Sequence, residues 1–93
     1  MTVEHHPERN RFIITLAPDA EAYISYERLA DGTLDLQHTV VPRAWREHGI
    51  GTTLVQQTMD IARREGFRVI PTCPFIATWL DRNLEYSDLS AET

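Results

Sequence analysis

A chain of 93 residues has room for one domain, because a second hydrophobic core needs more residues than this. Hydrophobic residues make up 42% of the chain and charged residues 25%, a balance typical of a folded globular domain and not of a disordered one. The net charge is −5, and every basic residue is Arg. This charge argues against nucleic acid and against an anionic membrane as the main partner, and it suits a cationic substrate such as an amine.

Cys73 is the only cysteine, so no internal disulfide can form. A lone thiol favours a reducing compartment, and we expect the cytoplasm. We see no signal peptide and no run of about 18 apolar residues that could span a membrane. No metal site is predicted, because the chain lacks a His-Glu-x-x-His motif and clustered carboxylates.

Three strands are predicted in the first half of the chain. Residues 1–10 are polar, and we expect a loosely ordered start. The apolar, β-branched run 11–16 predicts a strand, and alternation over 21–29 and 33–41 predicts two more, each with one buried face. Asp31-Gly32 between them predicts a hairpin. The faces expected to be buried are Ala22, Ile24 and Tyr26 in the second strand, and Leu34, Leu36, His38 and Val40 in the third.

Helical spacing dominates the second half. From about residue 50, apolar side chains recur every three or four positions, which predicts a helix closed by Gly66. Residues 67–71 predict a fourth strand, and Pro74 suits the first position of a second helix that ends near Asn83. We expect residues 88–93 to be loosely ordered. The order β-β-β-α-β-α predicts a single α/β (α+β) domain over 1–93. Its sheet is mixed, the first three strands are antiparallel, and the helices pack against the sheet.

The loop before the first helix has the features of an anion site. A helix N-terminus presents backbone N–H groups without internal partners, and phosphate is a common guest there. Gly49 and Gly51 let the backbone approach an anion closely, while Arg46, Thr52 and Thr53 add further donors. A dinucleotide fingerprint needs three glycines and a Walker loop needs Gly-Lys, so neither is present. The alternative is a plain loop-to-helix junction.

The segment Arg46-Glu47-His48-Gly49-Ile50-Gly51 matches the pattern Arg/Gln-x-x-Gly-x-Gly/Ala. At these residues the chain resembles the GNAT superfamily of N-acetyltransferases, whose pyrophosphate motif has this form. It is most similar to the small single-domain GNAT-like subfamily, and the resemblance covers about residues 11–89. The flanking segments that carry it are His38-Thr39-Val40-Val41-Pro42, Pro71-Thr72-Cys73, Phe75 to Trp79, and Glu85-Tyr86.

The resemblance implies acetyl-CoA, or coenzyme A, as the bound cofactor. Its pyrophosphate is expected on the backbone amides of His48, Gly49, Ile50, Gly51, Thr52 and Thr53. Its pantetheine arm is expected along Thr39, Val40 and Val41. The chain departs from the family pattern in two ways: Glu47 stands where many relatives have Gly, and the additional helices and strands of full-length GNAT enzymes are missing.

Cys73 and His38 are the candidate catalytic residues. Cys73 precedes Pro74 and suits the N-cap of the second helix, where a thiol tends to be ionised. The resemblance implies that this strand end lies near the thioester, so Cys73 can accept the acyl group. The alternative is a small buried hydrophobic residue. Histidine is the residue type best suited to act as a general base near neutral pH, so His38 is a candidate base for an amine or for Cys73; the alternative is a core histidine.

Three functions remain open from the sequence. The first is an N-acetyltransferase that moves an acetyl group from acetyl-CoA to a small-molecule amine or a protein amino group. The second is a module that binds or senses CoA or acyl-CoA without turnover. This function is favoured because the additional helices and strands that form the acceptor-binding walls of full-length GNAT enzymes are missing. The third is a structural protein without a ligand. A homodimer is one way to complete an open site.

Overall fold

The structure is a computed structural model that describes residues 1–91. One five-stranded sheet has the strand order β1-β2-β3-β4-β5; β4 and β5 are parallel and the other neighbours antiparallel. The predicted mixed α/β fold is confirmed, with one additional strand. The elements are β1 (Glu4–His6), β2 (Arg11–Ala17), β3 (Ala20–Arg28), β4 (Leu34–Val40), α1 (Ile50–Glu65), β5 (Val69–Pro71), α2 (Pro74–Arg82) and short 3₁₀ helices at Pro7–Arg9, Arg43–Trp45 and Leu84–Leu89.

A single hydrophobic core joins alternate side chains of the sheet to both helices. Helix α1 ends at Gly66, whose left-handed backbone closes the last turn as predicted. Partly exposed side chains make up most of the other sheet face, so the fold has two layers. The largest fully buried core side chains from strands and helices include Phe12, Ile14, Ile24, Leu34, Leu36, Leu54, Met59 and Ile76.

The expectation of a loosely ordered start is wrong for the first residues. Strand β1 pairs with β2, with His5 opposite Phe12. Val3 is buried, and the His5 ring stacks on the Phe12 ring with centroids 4.2 Å apart. The His5 Nε2 atom also lies 2.7 Å from the Tyr26 hydroxyl. The segment looks polar because its inward-facing ring is a histidine, and histidine can combine stacking with a hydrogen bond.

A β-bulge in β4 overturns part of the predicted face pattern. Tyr26 of β3 pairs with Leu36 of β4, and the preceding residue, Ser25, pairs with His38. Gln37, between these two partners, is therefore an extra residue in β4. An extra residue reverses the alternation beyond it. Leu34 and Leu36 are buried as predicted, whereas His38 is exposed. Its partner Ser25 lies between buried Ile24 and Tyr26 in β3, so His38 lies on the face away from the helices.

The chain after α2 is ordered as far as it is described. Leu89 is buried, and the backbone N–H of Ala91 donates to the Val69 carbonyl at 2.8 Å. Arg63 of α1 forms two hydrogen bonds, of 2.9 and 3.0 Å, with the Asp88 carboxylate. The expectation of loose order over 88–93 is therefore wrong for 88–91, and residues 92 and 93 lie outside the described residues. The signal that sequence reasoning missed is the spaced apolar residue Leu89 in a polar tail.

Candidate functional site

A hollow of about 570 Å³ opens where β4, the following loop, α1 and α2 meet; we call it the β4–α1 hollow. Strand β5 pairs with β4 only from Leu34 to Leu36, so the later residues of β4 have no strand beside them on that edge. Eight predicted cofactor-binding residues line this hollow: Thr39, Val40, Val41, Arg46, Gly49, Ile50, Gly51 and Thr52.

The loop that enters α1 contains two residues with a left-handed backbone. Gly49 is the N-cap of α1 with φ of 71°, and Glu47 has the same φ. Glycine adopts this region without a steric penalty, whereas Glu47 does so at a cost. The loop thus turns sharply enough to direct the first turn of α1 into the hollow. Glu47 itself lines the hollow, and its carboxylate is the acidic group on this rim.

The first turn of α1 has unused backbone donors. The N–H of Thr53 donates to the Gly49 carbonyl at 3.1 Å and begins the helical ladder. Among the described residues, the N–H groups of Ile50, Gly51 and Thr52 have no hydrogen-bond acceptor, and no side chain caps the helix. The first turn also lacks an acidic residue. Its partial positive charge is therefore available to an anion.

Arg46 and His48 take different positions in the loop. The Nε atom of Arg46 donates to the Val41 carbonyl at 3.1 Å, which ties the loop back to the end of β4, and its side chain lines the hollow. His48 folds back on the loop: its Nδ1 atom lies 3.1 Å from the Trp45 carbonyl and 3.0 Å from the Arg46 carbonyl. His48 and Thr53 are the predicted cofactor-binding residues that do not line the β4–α1 hollow.

Two aromatic residues of this site were not predicted as binding residues. Trp45 and Phe75 both line the hollow. Phe75 is 45% exposed, and a Cβ atom built on Gly51 would lie 3.1 Å from its Cζ atom. Gly51 therefore allows Phe75 to lie close against the first turn of α1. The signal was available: Pro74 at the first helical position places Phe75 on the first turn of α2.

Cys73 is the N-cap of α2, as predicted, and is 7% exposed. Its Sγ atom lies 3.5 Å from the hydroxyl oxygen of Thr39. Burial raises the pKa of the Cys73 thiol, but hydrogen bonds from Thr39 and from the N–H groups at the start of α2 outweigh it. The net result is a pKa below the ordinary value of a cysteine, which favours the nucleophilic thiolate. Cys73 does not line the hollow itself, but its partner Thr39 does.

The structure does not bring His38 to Cys73. Cys73 contacts Thr39, which pairs with buried Ile24 and so faces the helices. His38 is the preceding residue, and its exposed side chain lies on the other sheet face. The bulge at Gln37 causes this separation. A direct hydrogen bond from His38 to the thiol is therefore absent from this arrangement.

Other polar groups have structural partners. The Tyr86 hydroxyl donates to Asp60 at 2.7 Å, which raises the Tyr86 pKa, and its ring packs on Trp79, away from the β4–α1 hollow. Within residues 1–91, no three His, Cys, Asp or Glu side chains are grouped so that they could hold a metal ion. Neither of the described helices is long and apolar enough to cross a membrane.

Comparison with known proteins identifies a related family. A family model described as GCN5-related N-acetyl-transferase matches residues 11–89. Protein NATD1 of Xenopus tropicalis is 35% identical over 82 residues, which span 87% of this chain and 75% of that protein. Protein NATD1 of Danio rerio is 34% identical over 84 residues, with 89% and 76% covered. The human protein of the same name is 33% identical over 82 residues, with 87% and 73% covered.

Proposed function

The chain belongs to the family of GCN5-related N-acetyltransferases, and on that premise we propose that it binds acetyl-CoA in the β4–α1 hollow and transfers the acetyl group to an amine. The family generally uses acetyl-CoA as the acetyl donor. The observation that carries the proposal is the first turn of α1: Ile50, Gly51 and Thr52 line the hollow, and their backbone N–H groups are unused.

The chemistry of the hollow fits a pyrophosphate. The unused N–H groups and the helix dipole attract an anion, and Arg46 adds a permanent positive charge at the rim. Gly49 and Gly51 carry no side chain that would fill the approach to these groups. The Glu47 carboxylate opposes this attraction, which weakens the site without removing its donors.

The free edge of β4 fits the pantetheine arm. Amide groups along that arm can hydrogen-bond an extended backbone as a neighbouring strand does. Thr39, Val40 and Val41 line the hollow, and the paired part of β5 ends opposite Leu36. These residues would orient the arm so that its thioester end points toward Thr39 and Cys73.

Cys73 is our candidate acyl carrier. When bound, acetyl-CoA supplies an activated acetyl thioester. The Cys73 sulfur, ionised with the help of Thr39, would form a bond to the acetyl carbon while the bond to the CoA sulfur breaks. The departing CoA thiolate takes up the proton that the Cys73 thiol had released. The acetyl group would then pass to a neutral amine as the bond between the acetyl carbon and the Cys73 sulfur breaks. The amine's proton would go to a base, and Cys73 would return to the thiolate. The alternative enzyme route is direct attack of the amine on the thioester.

His38 remains our proposed base for the amine, in a different position from the one the sequence suggested. Its exposed side chain can accept a proton from an acceptor that approaches the open sheet face. It would then act on the acceptor and not on Cys73. The net charge of −5 suits a cationic acceptor, either a small-molecule amine or a protein amino group. A reducing cytoplasm would keep Cys73 as a free thiol.

The second candidate function is a module that binds acyl-CoA without turnover. The two-layer fold favours it, because no described helix covers the sheet face that carries His38, so the acceptor would meet an open surface. A second copy of the chain is one way to supply the missing wall. The two functions differ in their need for Cys73, and this difference provides the test.

The test combines calorimetric titration with CoA and intact-protein mass spectrometry after incubation with acetyl-CoA. For the covalent transferase we expect saturable CoA binding and one acetyl adduct on Cys73. The Cys73→Ala variant should keep CoA binding and lose the adduct, and His38→Gln should keep both but slow transfer to an amine. Binding with neither adduct nor amine acetylation would favour the module. Absence of CoA binding to the wild-type protein would refute the central proposal.

A further inference from the structure

The turn between β5 and α2 contains Cys73, and its main chain is joined to β4 at that residue. Two residues, Thr72 and Cys73, form the turn. The N–H of Cys73 donates to the Leu36 carbonyl of β4 at 3.0 Å, and Pro74 has no N–H that could continue this pairing. The N–H of Thr72 is used inside the turn, where it donates to the Ile70 carbonyl at 3.0 Å.

A side-chain hydrogen bond on the open sheet face joins the same turn to β4 a second time. The Thr72 hydroxyl donates to the Oδ1 atom of Asp35. Asp35 lies between two buried leucines of β4, so its side chain projects from the sheet face that the helices leave uncovered. Cys73 contacts Thr39 on the opposite face. The turn is thus held from both faces of β4.

The β-bulge in β4 supports Asp35 as well. Gln37 is the extra residue of the bulge, and its Nε2 atom lies 3.4 Å from the Asp35 Oδ2 atom and 3.4 Å from the Glu27 Oε1 atom. One carboxylate oxygen of Asp35 therefore accepts from Gln37, and the other accepts from Thr72. The bulge acts on both faces of the strand: it brings Thr39 to the sulfur, and it places an amide donor against Asp35.

The reactivity of Cys73 depends on where its sulfur lies. Burial raises the pKa of the Cys73 thiol, and the hydrogen bonds that outweigh burial come from Thr39 and from N–H groups at the start of α2. A hydrogen bond weakens steeply when its length and angle depart from the optimum, so displacement of the turn would weaken these bonds. Contacts that fix the backbone of residues 72 and 73 therefore protect the thiolate.

We propose that Asp35 and Thr72 are positioning residues: their hydrogen bond on the open sheet face holds the turn between β5 and α2, so that the Cys73 sulfur stays beside Thr39 on the other face. They act through the backbone of the turn and not by touching the acyl group. The inference rests on the proposed function, in which Cys73 carries that group. Displacement of a reacting group by about 1 Å can slow a reaction by about a hundredfold, so a tie on the far face of the strand can control the rate.

The experiment measures two properties of Cys73 in the full chain. The first is the thiolate fraction, taken as the ratio of the alkylation rate at neutral pH to the rate at the alkaline plateau. The second is the rate of acetylation by acetyl-CoA, followed by intact-protein mass spectrometry. The ratio separates ionisation from access, because a thiol that only became more exposed would react faster at both pH values.

The variants are Thr72→Val, which keeps the side-chain shape, Asp35→Ala, and the double variant. Thr72→Ser keeps a hydroxyl and is the rescue. Glu21→Ala is the matched control, because the Glu21 carboxylate also forms an exposed side-chain hydrogen bond, but with Arg9 at 3.2 Å and not with the turn. Denaturant unfolding of every variant reports its stability separately.

We expect Thr72→Val and Asp35→Ala each to reduce the thiolate fraction by about threefold and the acetylation rate by about tenfold. The double variant should be no worse than either single variant, because both substitutions remove the same hydrogen bond. Thr72→Ser and Glu21→Ala should stay within about twofold of the wild type in both measurements.

An unchanged thiolate fraction in Thr72→Val and Asp35→Ala would overturn the inference even if both variants unfold more easily, because the hydrogen bond would then serve stability alone. An equal loss in Glu21→Ala would also contradict it. The thiolate fraction is measured without CoA, so the two proposals fail separately. Absence of an acetyl adduct on the wild-type protein would refute the covalent route of the proposed function, whereas the thiolate fraction decides the positioning role.

Discussion

The Thr39 hydroxyl oxygen lies 3.5 Å from the Sγ atom of Cys73, across 34 positions of sequence. Thr39 can reach the thiol because the bulge at Gln37 shifts it onto the helix-facing side of β4. The same shift turns His38 to the exposed side. One inserted residue therefore decides that Thr39, and not the adjacent His38, lies beside the candidate nucleophile Cys73.

Replacing Thr39 by Val should raise the pKa of Cys73. Valine keeps the shape of the side chain but removes the hydroxyl that stabilises the thiolate, while burial continues to favour the thiol. The thiolate fraction at neutral pH should fall, and alkylation of the single cysteine should become slower at that pH. The measurement is the pH dependence of the thiolate ultraviolet absorbance and of the alkylation rate. Thr39→Ser, which retains a hydroxyl, is the control; an unchanged Val profile would contradict the role of Thr39.

Gly49→Ala and Gly51→Ala should separate folding from binding. Gly49 has a left-handed backbone with open space around it, so alanine there should lower the free energy of unfolding by about 1–2 kcal/mol. At Gly51 the helix gains from alanine while Phe75 must shift by a few tenths of an ångström, so stability should change by less than about 1 kcal/mol.

For CoA binding the order of the two variants should be reversed, with Gly51→Ala the more strongly affected. The new methyl at Gly51 projects toward Phe75 inside the β4–α1 hollow, so CoA binding should weaken by about 1 kcal/mol or more. Denaturant unfolding and calorimetric titration together provide both quantities. A Gly51→Ala protein that binds CoA like the wild type would show that this glycine serves packing and not ligand approach.

Replacing Glu47 should strengthen CoA binding. Its carboxylate lines the hollow beside the proposed pyrophosphate site, so both Glu47→Gln and Glu47→Gly should improve affinity by about 0.5–1 kcal/mol. Glycine also relieves the left-handed backbone at φ of 71°, but it adds freedom to the unfolded chain, so we expect little net change in stability. The gain should shrink at high salt. Weaker binding by Glu47→Gln would mean that the carboxylate holds the loop in its binding conformation.

His5 should make the fold less stable in mild acid. Burial lowers the pKa of His5 below its ordinary value of 6.5, although Glu65 opposes this effect. The folded protein therefore favours neutral His5. The stability that His5 contributes is fully present above pH 6.5 and is lost as the pH falls through the folded-state pKa.

The His5→Phe variant should keep the stacking on Phe12 and lose this pH dependence. Its melting temperature should fall less than that of the wild type between about pH 7.5 and 5.5. His6→Gln is the control, because Glu8 raises the pKa of the partly exposed His6 and gives the opposite sign. Parallel wild-type and His5→Phe curves would show that another group controls the acid response.

Periodicity, glycine and proline positions determined much of this protein from sequence alone. The spacing over 50–65 predicts α1, and Pro74 predicts the start of α2 with Cys73 as its N-cap. Alternation predicts the buried face of β3. The glycines after Arg46 mark where α1 begins. They therefore predict the backbone donors of its first turn, because every helix N-terminus has N–H groups without a partner inside the helix. These features depend on residues that are close in the chain, so local rules reach them.

The tertiary structure alone decided how these parts meet. Strand β1 forms because β2 offers a free edge and Phe12 offers a stacking surface for His5. The bulge at Gln37 shifts the register between β3 and β4, and it places Thr39 and not His38 beside the thiol. Phe75 meets Gly51 only after α2 docks beside α1. Contacts between distant segments depend on the packing of the whole core, which no local periodicity encodes.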